Sequence, residues 1–426
     1  MKLKVAAASL LSVVLLATCA ACGGNSASGD GKVNMTMMHN STLASGKNYY
    51  EKMAKEFEKA NPNVSIQIQA IQNEDYEGKI QTAMQDQDSA PDIFYSRGGQ
   101  KLRDMVEAGQ VQDITDTISS TVKQQMKTGL ASHTVDGKVY GVPSSMQPGG
   151  FWYSKDLFSK AGIAEPPKTL AELKTDVQLL QSAGITPIGL AAKDAWPVGH
   201  WWYHFSMREC PTAVFKKGMI DKKFDDPCWT KAGDDLKNVI GWDAFNKGYL
   251  TTSAQQGASS SAGLLANHQV AMELTVASEP GVIKDLTADG KDMADLGFFA
   301  FPAVDGAKGD QTAMMGGADG MACSVKAPKE CVKFLNFLSE KQNQEEYATV
   351  IGTIPASVEA QGVVKNQALK EDIDAFNKAS TMYLWMDTQL GTNVGTALNT
   401  SVVNLLTGKG SPQDIVKDVK EAVKKG

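Results

Sequence analysis

The 426-residue chain predicts an α/β protein of two lobes, and three observations carry that reading. Residues 33–95 run strand–helix–strand–helix–strand, an order that builds a parallel sheet with helices on its faces. A second block of short apolar strands and amphipathic helices follows from residue 151. The length left after an N-terminal export signal, about 400 residues, exceeds the size at which one core divides into two.

The export signal comes first. Lys2 and Lys4 give a positive start, and residues 5–18 form an apolar run of signal-peptide length, too short to span a bilayer. The run closes on Thr18-Cys19-Ala20-Ala21-Cys22-Gly23-Gly24. Small residues directly before a cysteine resemble a lipobox, the site where a bacterial lipoprotein is thioether-linked to diacylglycerol and cleaved. Cys22 is the favoured lipidation site, because Ala20 and Ala21 precede it and a flexible glycine-rich segment follows. Cys19 is the weaker frame, with Thr18 beside the cut. The expected organisation is a signal peptide over 1–21, a lipid-anchored tether over 22–32 with palmitate-type chains, and an exported domain from residue 33. That domain would be held at the outer face of the cell membrane.

Within the domain, residues 33–37 read as a strand and 39–47 as a polar loop. Tyr50, Met53, Ala54 and Phe57, spaced i, i+3, i+4, i+7, predict a helix that Asn61-Pro62-Asn63 ends. Residues 64–70 alternate strictly between apolar and polar, the pattern of a strand with one face buried. A second helix is expected over about 75–87 and a third strand over 91–95. In the second block, 151–153 reads as a strand. Thr169 and Glu172 form a capping box ahead of a helix with Leu170, Leu173, Val177 and Leu180 inward. Residues 185–190, 269–274 and 296–299 read as further strands, and 329–341 as a helix with Val332, Leu335 and Leu338 inward. The last helix starts at Ser411, with Pro412 in its first turn and Asp414 near its positive end.

Loss of Lys2 and Lys4 with the leader takes the formal charge from −6 to about −8. Nucleic acid and anionic lipid surfaces need a basic face, so neither is expected as a partner, and membrane contact is expected through the lipid anchor only. Setting aside Cys19 and Cys22, the cysteines are Cys210, Cys228, Cys323 and Cys331. Four thiols in an exported protein read as two disulfides, and sequence proximity favours Cys210–Cys228 and Cys323–Cys331. No two of these four are spaced as CxxC, which argues against zinc. No metal and no cofactor is expected.

Residues 57–64, 90–93, 108–115, 136–143, 151–157, 303–306 and 352–357 (FEKANPNV, APDI, AGQVQDIT, DGKVYGVP, FWYSKDL, AVDG and GTIPAS) stand in a joint order behind the lipobox. In these the chain resembles the maltose-binding-protein-like solute-binding proteins of ABC sugar importers, extracellular solute-binding protein family 1, over essentially the whole mature chain. The resemblance implies a periplasmic-binding-protein-like fold, each lobe a mixed, mainly parallel sheet flanked by helices, with a ligand cleft between them. The expected lobes are 33–143 plus 318–357 and 144–317 plus 358–426, with crossings near Ser144, near Gly317 and between 357 and 378. It also implies an oligosaccharide ligand, closure of the lobes about a hinge, the transmembrane permease subunits of an ABC importer as partner, a monomer, and no catalysis.

A neutral sugar needs planar apolar platforms together with hydrogen-bond donors and acceptors. Residues 196–205 hold three of the seven tryptophans and contribute Trp196, His200 and Trp201 as candidates. Ends of predicted strands add His39 and Asn40, then Asn73, then Thr275 and Ser278. By the resemblance, Tyr95, Ser96 and Arg97, Gln147 at the first crossing, and Tyr383, Trp385 and Asp387 near the C-terminus are ligand contacts. Gly317 and Asp319 lie at the second crossing, where a missing side chain lets backbone approach a ligand.

Other classes fit less well. A glycosidase needs two carboxylates across a cleft, and no segment singles out a pair. GxSxG and HExxH are absent, and His200 and His204 enclose Trp201-Trp202 where a zinc protease carries glutamate. There is no nucleotide loop, so ATPase subunits would be separate chains. Among non-sugar solutes, Arg97 leaves an amino acid or peptide clamp open, and Asp319 with Asp387 leaves a polyamine open.

Overall fold

The computed structural model describes residues 31–287 and 289–425. Cys19, Cys22, the signal peptide and the tether up to residue 30 lie outside the described residues.

The alternation over 64–70 becomes the strand Val64–Ala70, with Val64 and Ile66 buried and Ser65 and Gln67 exposed. It lies parallel to Val33–His39, paired from Val33↔Val64 to His39↔Ala70. Helix Ala44–Ala60 covers the pair with Tyr50, Met53, Ala54 and Phe57, the spaced apolar set, all buried. Ile93–Ser96 pairs parallel on the other side of Val33–His39. Three more strands complete this sheet and run antiparallel: Ala318–Cys323 beside Ile93–Ser96, Gly141–Met146 beside Ala318–Cys323, and Ile354–Pro355 at the edge. The sheet is therefore mixed rather than mainly parallel. Its later strands belong to passes that leave for, or return from, a second sheet, and not to strand–helix–strand units.

The second sheet has the order Leu296–Phe299, Gly149–Ser154, Met272–Val276, Ile188–Gly189. Only its last pair is parallel. The expected strand over 185–190 shortens to two residues, because Pro187 has no N–H to give a ladder. The helix expected over 329–341 ends at Leu338, and a separate helix runs over Lys341–Tyr347. The Ser339 hydroxyl donates back to the Leu335 carbonyl at 2.7 Å at the break.

The chain leaves the first sheet at Met146 and enters the second at Gly149. Gln147 N–H donates to the Gly317 carbonyl at 2.8 Å, and Gly317 N–H returns to the Gln147 carbonyl at 3.2 Å. Two crossings thus lie side by side. Each sheet has its own apolar cluster: Met35, Tyr50, Phe57, Ile93 and Phe334 under the first, Phe151, Trp201, Trp202, Phe205 and Trp229 under the second. A third cluster, with Met146, Trp152, Ile283, Ile354 and Leu369, draws residues from both sheets.

The local signals read from sequence appear in place. Thr169 Oγ1 accepts from Glu172 N–H at 3.2 Å while Glu172 accepts from Thr169 N–H at 3.1 Å, and Ser411 with Asp414 makes the same exchange ahead of helix Pro412–Lys425. Cys210 is bonded to Cys228 and Cys323 to Cys331, the pairing that proximity favours. Buried Arg208 was not foreseen. It donates to the carbonyls of Phe301, Pro302, Asp310 and Ala313 at 2.8–3.2 Å and so shapes the segment that leads back to the crossing. Burial lowers its pKa to about 10. Among the described residues no helix is long and apolar enough to cross a membrane.

Candidate functional site

The ends of both sheets and the two crossings face a cavity of about 580 Å³. Asn40 follows the first strand, Tyr95 lies near the end of the third and Arg97 just beyond it, and Asn73 and Glu77 stand one turn apart on helix Asn73–Met84. Gln147, Gly317 and Asp319 come from the crossings. Opposite stand Trp196 and His200 at the start of helix Trp196–Glu209, then Ser278, Trp385, Asp387, and Thr392, Thr396 and Asn399 of helix Thr392–Leu406. A smaller recess of about 120 Å³ continues past Asn40, Asn73, Tyr95, Gln147, Ser278 and Asp319 toward Ser45 and Tyr347.

One wall is polar and held in place by its own bonds. Arg97 donates to Glu77 at 2.7 Å and to Asn73 Oδ1 at 2.8 Å, and its guanidinium lies 5.3 Å from the Tyr95 ring centre. Asn40 donates to the same Asn73 oxygen at 2.9 Å. Burial alone would raise the Glu77 carboxyl; Lys101 and Arg97 reverse that and hold it below the ordinary range. Asp319 is shifted upward by burial, partly offset by Arg97 and by a hydrogen bond with Tyr95. Gln147 Nε2 donates to Ser145 and Thr353 at 3.0 and 3.2 Å, while its Oε1 has no partner in the protein.

The facing wall is aromatic. His200 lies flat on Trp385, centroids 3.9 Å apart and planes within 4°, and the Trp196 and Tyr203 rings stand at 4.9 and 5.6 Å from it. Burial pushes the His200 pKa down to about 3, so the ring is neutral at neutral pH. Trp196 Nε1 and His200 Nδ1 have no protein partner. The arrangement offers a ring platform, neutral donors and acceptors, and charges that are mostly already paired. Such a surface suits an uncharged ligand rich in hydroxyls.

Residues 40–345 match the family described as bacterial extracellular solute-binding protein. The chain belongs to that family. The solute-binding proteins it is similar to include the diacetylchitobiose binding protein DasA of Streptomyces coelicolor, 24% identical over 424 residues that cover 95% of this chain and 94% of DasA. The melibiose/raffinose/stachyose-binding protein MelE of Bacillus subtilis is 22% identical over 353 residues, 79% of this chain and 78% of MelE. The solved structure of a chitin oligosaccharide binding protein superposes with a TM-score of 0.82 at 23% identity, covering 92% of this chain and 98% of that one. The two-lobed fold is thus shared. As a member of a binding-protein family whose description is extracellular, the chain is an extracytoplasmic protein.

Twelve of the residues predicted as ligand contacts line the cavity: Asn40, Asn73, Tyr95, Arg97, Gln147, Trp196, His200, Ser278, Gly317, Asp319, Trp385 and Asp387. Five do not. His39 is fully buried, accepts from Ser41 N–H at 3.1 Å and packs on Tyr50. Ser96 turns back to accept from Gly98 N–H at 3.2 Å. Trp201 stands edge-on to Phe151 in the core, because helix Trp196–Glu209 is buried on all sides and only its first turns reach the cavity. Thr275 is buried within its strand opposite Gly150, and Tyr383 packs edge-on against Phe215. His204 Nδ1–H donates to the His200 backbone carbonyl at 2.8 Å, and among the described residues neither histidine belongs to a group of three metal-type ligands.

Glu77, Lys101, Gln255, Thr392, Thr396 and Asn399 were missed. Glu77 had a faint signal, lying i+4 from Asn73 on one helix face. The helix Thr392–Leu406 had none. Asp156, His268 and Asp295 bring three ligand-type atoms within 4.8 Å of one another, away from the cavity. Asp295 there is already bonded to His268 at 3.0 Å and to Ser154.

Proposed function

We propose that this protein is the lipid-anchored substrate-binding component of an ABC importer. It captures an oligosaccharide between its lobes, closes about the paired crossings, and presents the loaded form to the transmembrane permease. The lobes are 33–143 with 318–357 and 144–317 with 358–426. Cys22 carries the lipid. The protein acts as a monomer and returns its ligand chemically unchanged.

The observation that carries this reading is the opposition of the Trp196–His200–Trp385 wall to an amide- and carboxylate-bearing wall across one cavity. Apolar sugar faces stack on the partly exposed Trp196, which the buried His200–Trp385 stack backs, and hydroxyls bond the second wall. Sugar-naming relatives, such as DasA and MelE, support the same class. Calorimetric titration with raffinose, stachyose, xylotriose and diacetylchitobiose tests it: at least one should bind and be recovered intact. Failure of all four, with tight binding of a polyamine or an amino acid instead, sinks the sugar assignment. Mass spectrometry of the N-terminal peptide from membranes tests the anchor, which should disappear in Cys22→Ser.

A further inference from the structure

Helices Trp196–Glu209 and Thr392–Leu406 approach closely at Gly199. A Cβ at that position would overlap Asn399 Oδ1 and stand 2.9 Å from the Tyr203 hydroxyl. Only glycine fits there while Asn399 keeps its place. In the space so left, the fully buried Tyr203 donates its O–H to Asn399 Oδ1. An amide oxygen can only accept, so the hydroxyl proton is directed at Asn399.

The amide then has one orientation. Its oxygen faces Tyr203, and its Nδ2 faces Asp387 Oδ2 at 3.4 Å. Asn399 and Asp387 both line the cavity. The ligand therefore meets an N–H donor beside a carboxylate acceptor at a fixed separation. Two adjacent hydroxyls satisfy that pair, one accepting from Asn399 and the other donating to Asp387. An anionic group would face Asp387, and an ammonium would face the amide N–H groups.

We propose that Tyr203 is a positioning residue, locking Asn399 beside Asp387 so that this end of the cleft selects ligands with two adjacent hydroxyl groups. The proposal rests on the cavity being a sugar site. Raffinose, xylotriose and diacetylchitobiose serve as probes on the full chain. Tyr203→Phe removes one O–H and should weaken the tightest-bound probe about tenfold. It should also narrow the preference for that probe over its monodeoxy analogues. In an Asp387→Asn background the same change should add little. A purely structural Tyr203 would lower both affinities equally and add its full loss in that background; either result overturns the proposal. If Tyr203→Phe does not fold, Gly199→Ala displaces the same amide with Tyr203 intact and should give the same pattern. If no probe binds the parent, the sugar reading fails. The positioning is then decided on the free protein by the Asn399 side-chain amide resonances in ¹H–¹⁵N spectra. These should move in Tyr203→Phe, and unchanged resonances would refute the lock.

Discussion

Trp385→Ala should unfold the protein more readily and barely touch its affinity. The residue is 8% exposed. Of the roughly 250 Å² that a tryptophan can bury, that leaves about 20 Å² facing the cavity. A ligand covering all of it gains about 0.5 kcal/mol at ~25 cal/mol/Å², or about twofold in affinity. The rest of the ring is interior. It lies on His200 at 3.9 Å, meets His204 edge-on at 5.9 Å, and fills the room left where a Cβ on Gly149 would overlap it. Truncating such a ring costs about 3–5 kcal/mol. At about 2 °C per kcal/mol for a chain of this size, the unliganded protein should melt about 6–10 °C lower. Trp196→Ala should behave in the opposite way, because that ring is partly exposed on the cavity with an unpaired Nε1. Differential scanning calorimetry without ligand, and titration with the tightest of the sugar probes, separate the two. A Trp385→Ala protein that melts with the parent, or a Trp196→Ala protein that loses stability and keeps affinity, would refute the reasoning. From sequence the two tryptophans were equivalent platforms; burial divides them.

Arg208→Met should lower the unfolding free energy by about 3–5 kcal/mol, because four buried carbonyls lose their donor; a guanidinium midpoint unchanged from the parent would contradict this. Burial raises the carboxyls of Glu273 and Glu279, the neighbouring Glu279 raises Glu273 further, and Glu279 reaches about 8. Folded pKa values above the unfolded value of about 4.3 mean stability that is full below about pH 4 and lost as pH rises toward about 8. Glu279→Gln should therefore become progressively more stable than the parent across that window in urea unfolding, and a constant difference would count against a protonated pair. Replacing Cys210 and Cys228 by serine opens a loop with a separation of 18 residues and should cost about 3 kcal/mol on the chain-entropy account. The Cys323–Cys331 pair, separated by 8, should cost slightly less, and the opposite order in thermal denaturation would rule out loop entropy as the main cause.

Much of the fold was legible because its signals are local. The alternation over 64–70, the Tyr50–Phe57 stripe, the Thr169–Glu172 box and the two short cysteine separations depend on spacings of a few residues, and near neighbours in sequence stay near in space whatever the rest of the chain does. Strand ends were also sound guides. Asn40, Tyr95, Arg97 and Ser278 reach the cavity because strands that share a sheet deliver their following loops to one edge.

What sequence alone could not decide was the direction in which a residue at such an end points. His39 and Asn40 are adjacent, yet one is sealed under Tyr50 and the other faces the cavity. Trp196 and Trp201 share a helix, yet a helix buried all round turns each face to a different environment. Asn399 and Thr396 were invisible because their helix joins the cavity only after the chain has crossed between the sheets for the last time. Local spacing determined which elements form and which cysteines pair. The packing of elements distant in sequence alone decided which of two neighbouring side chains faces the ligand and which fills the core.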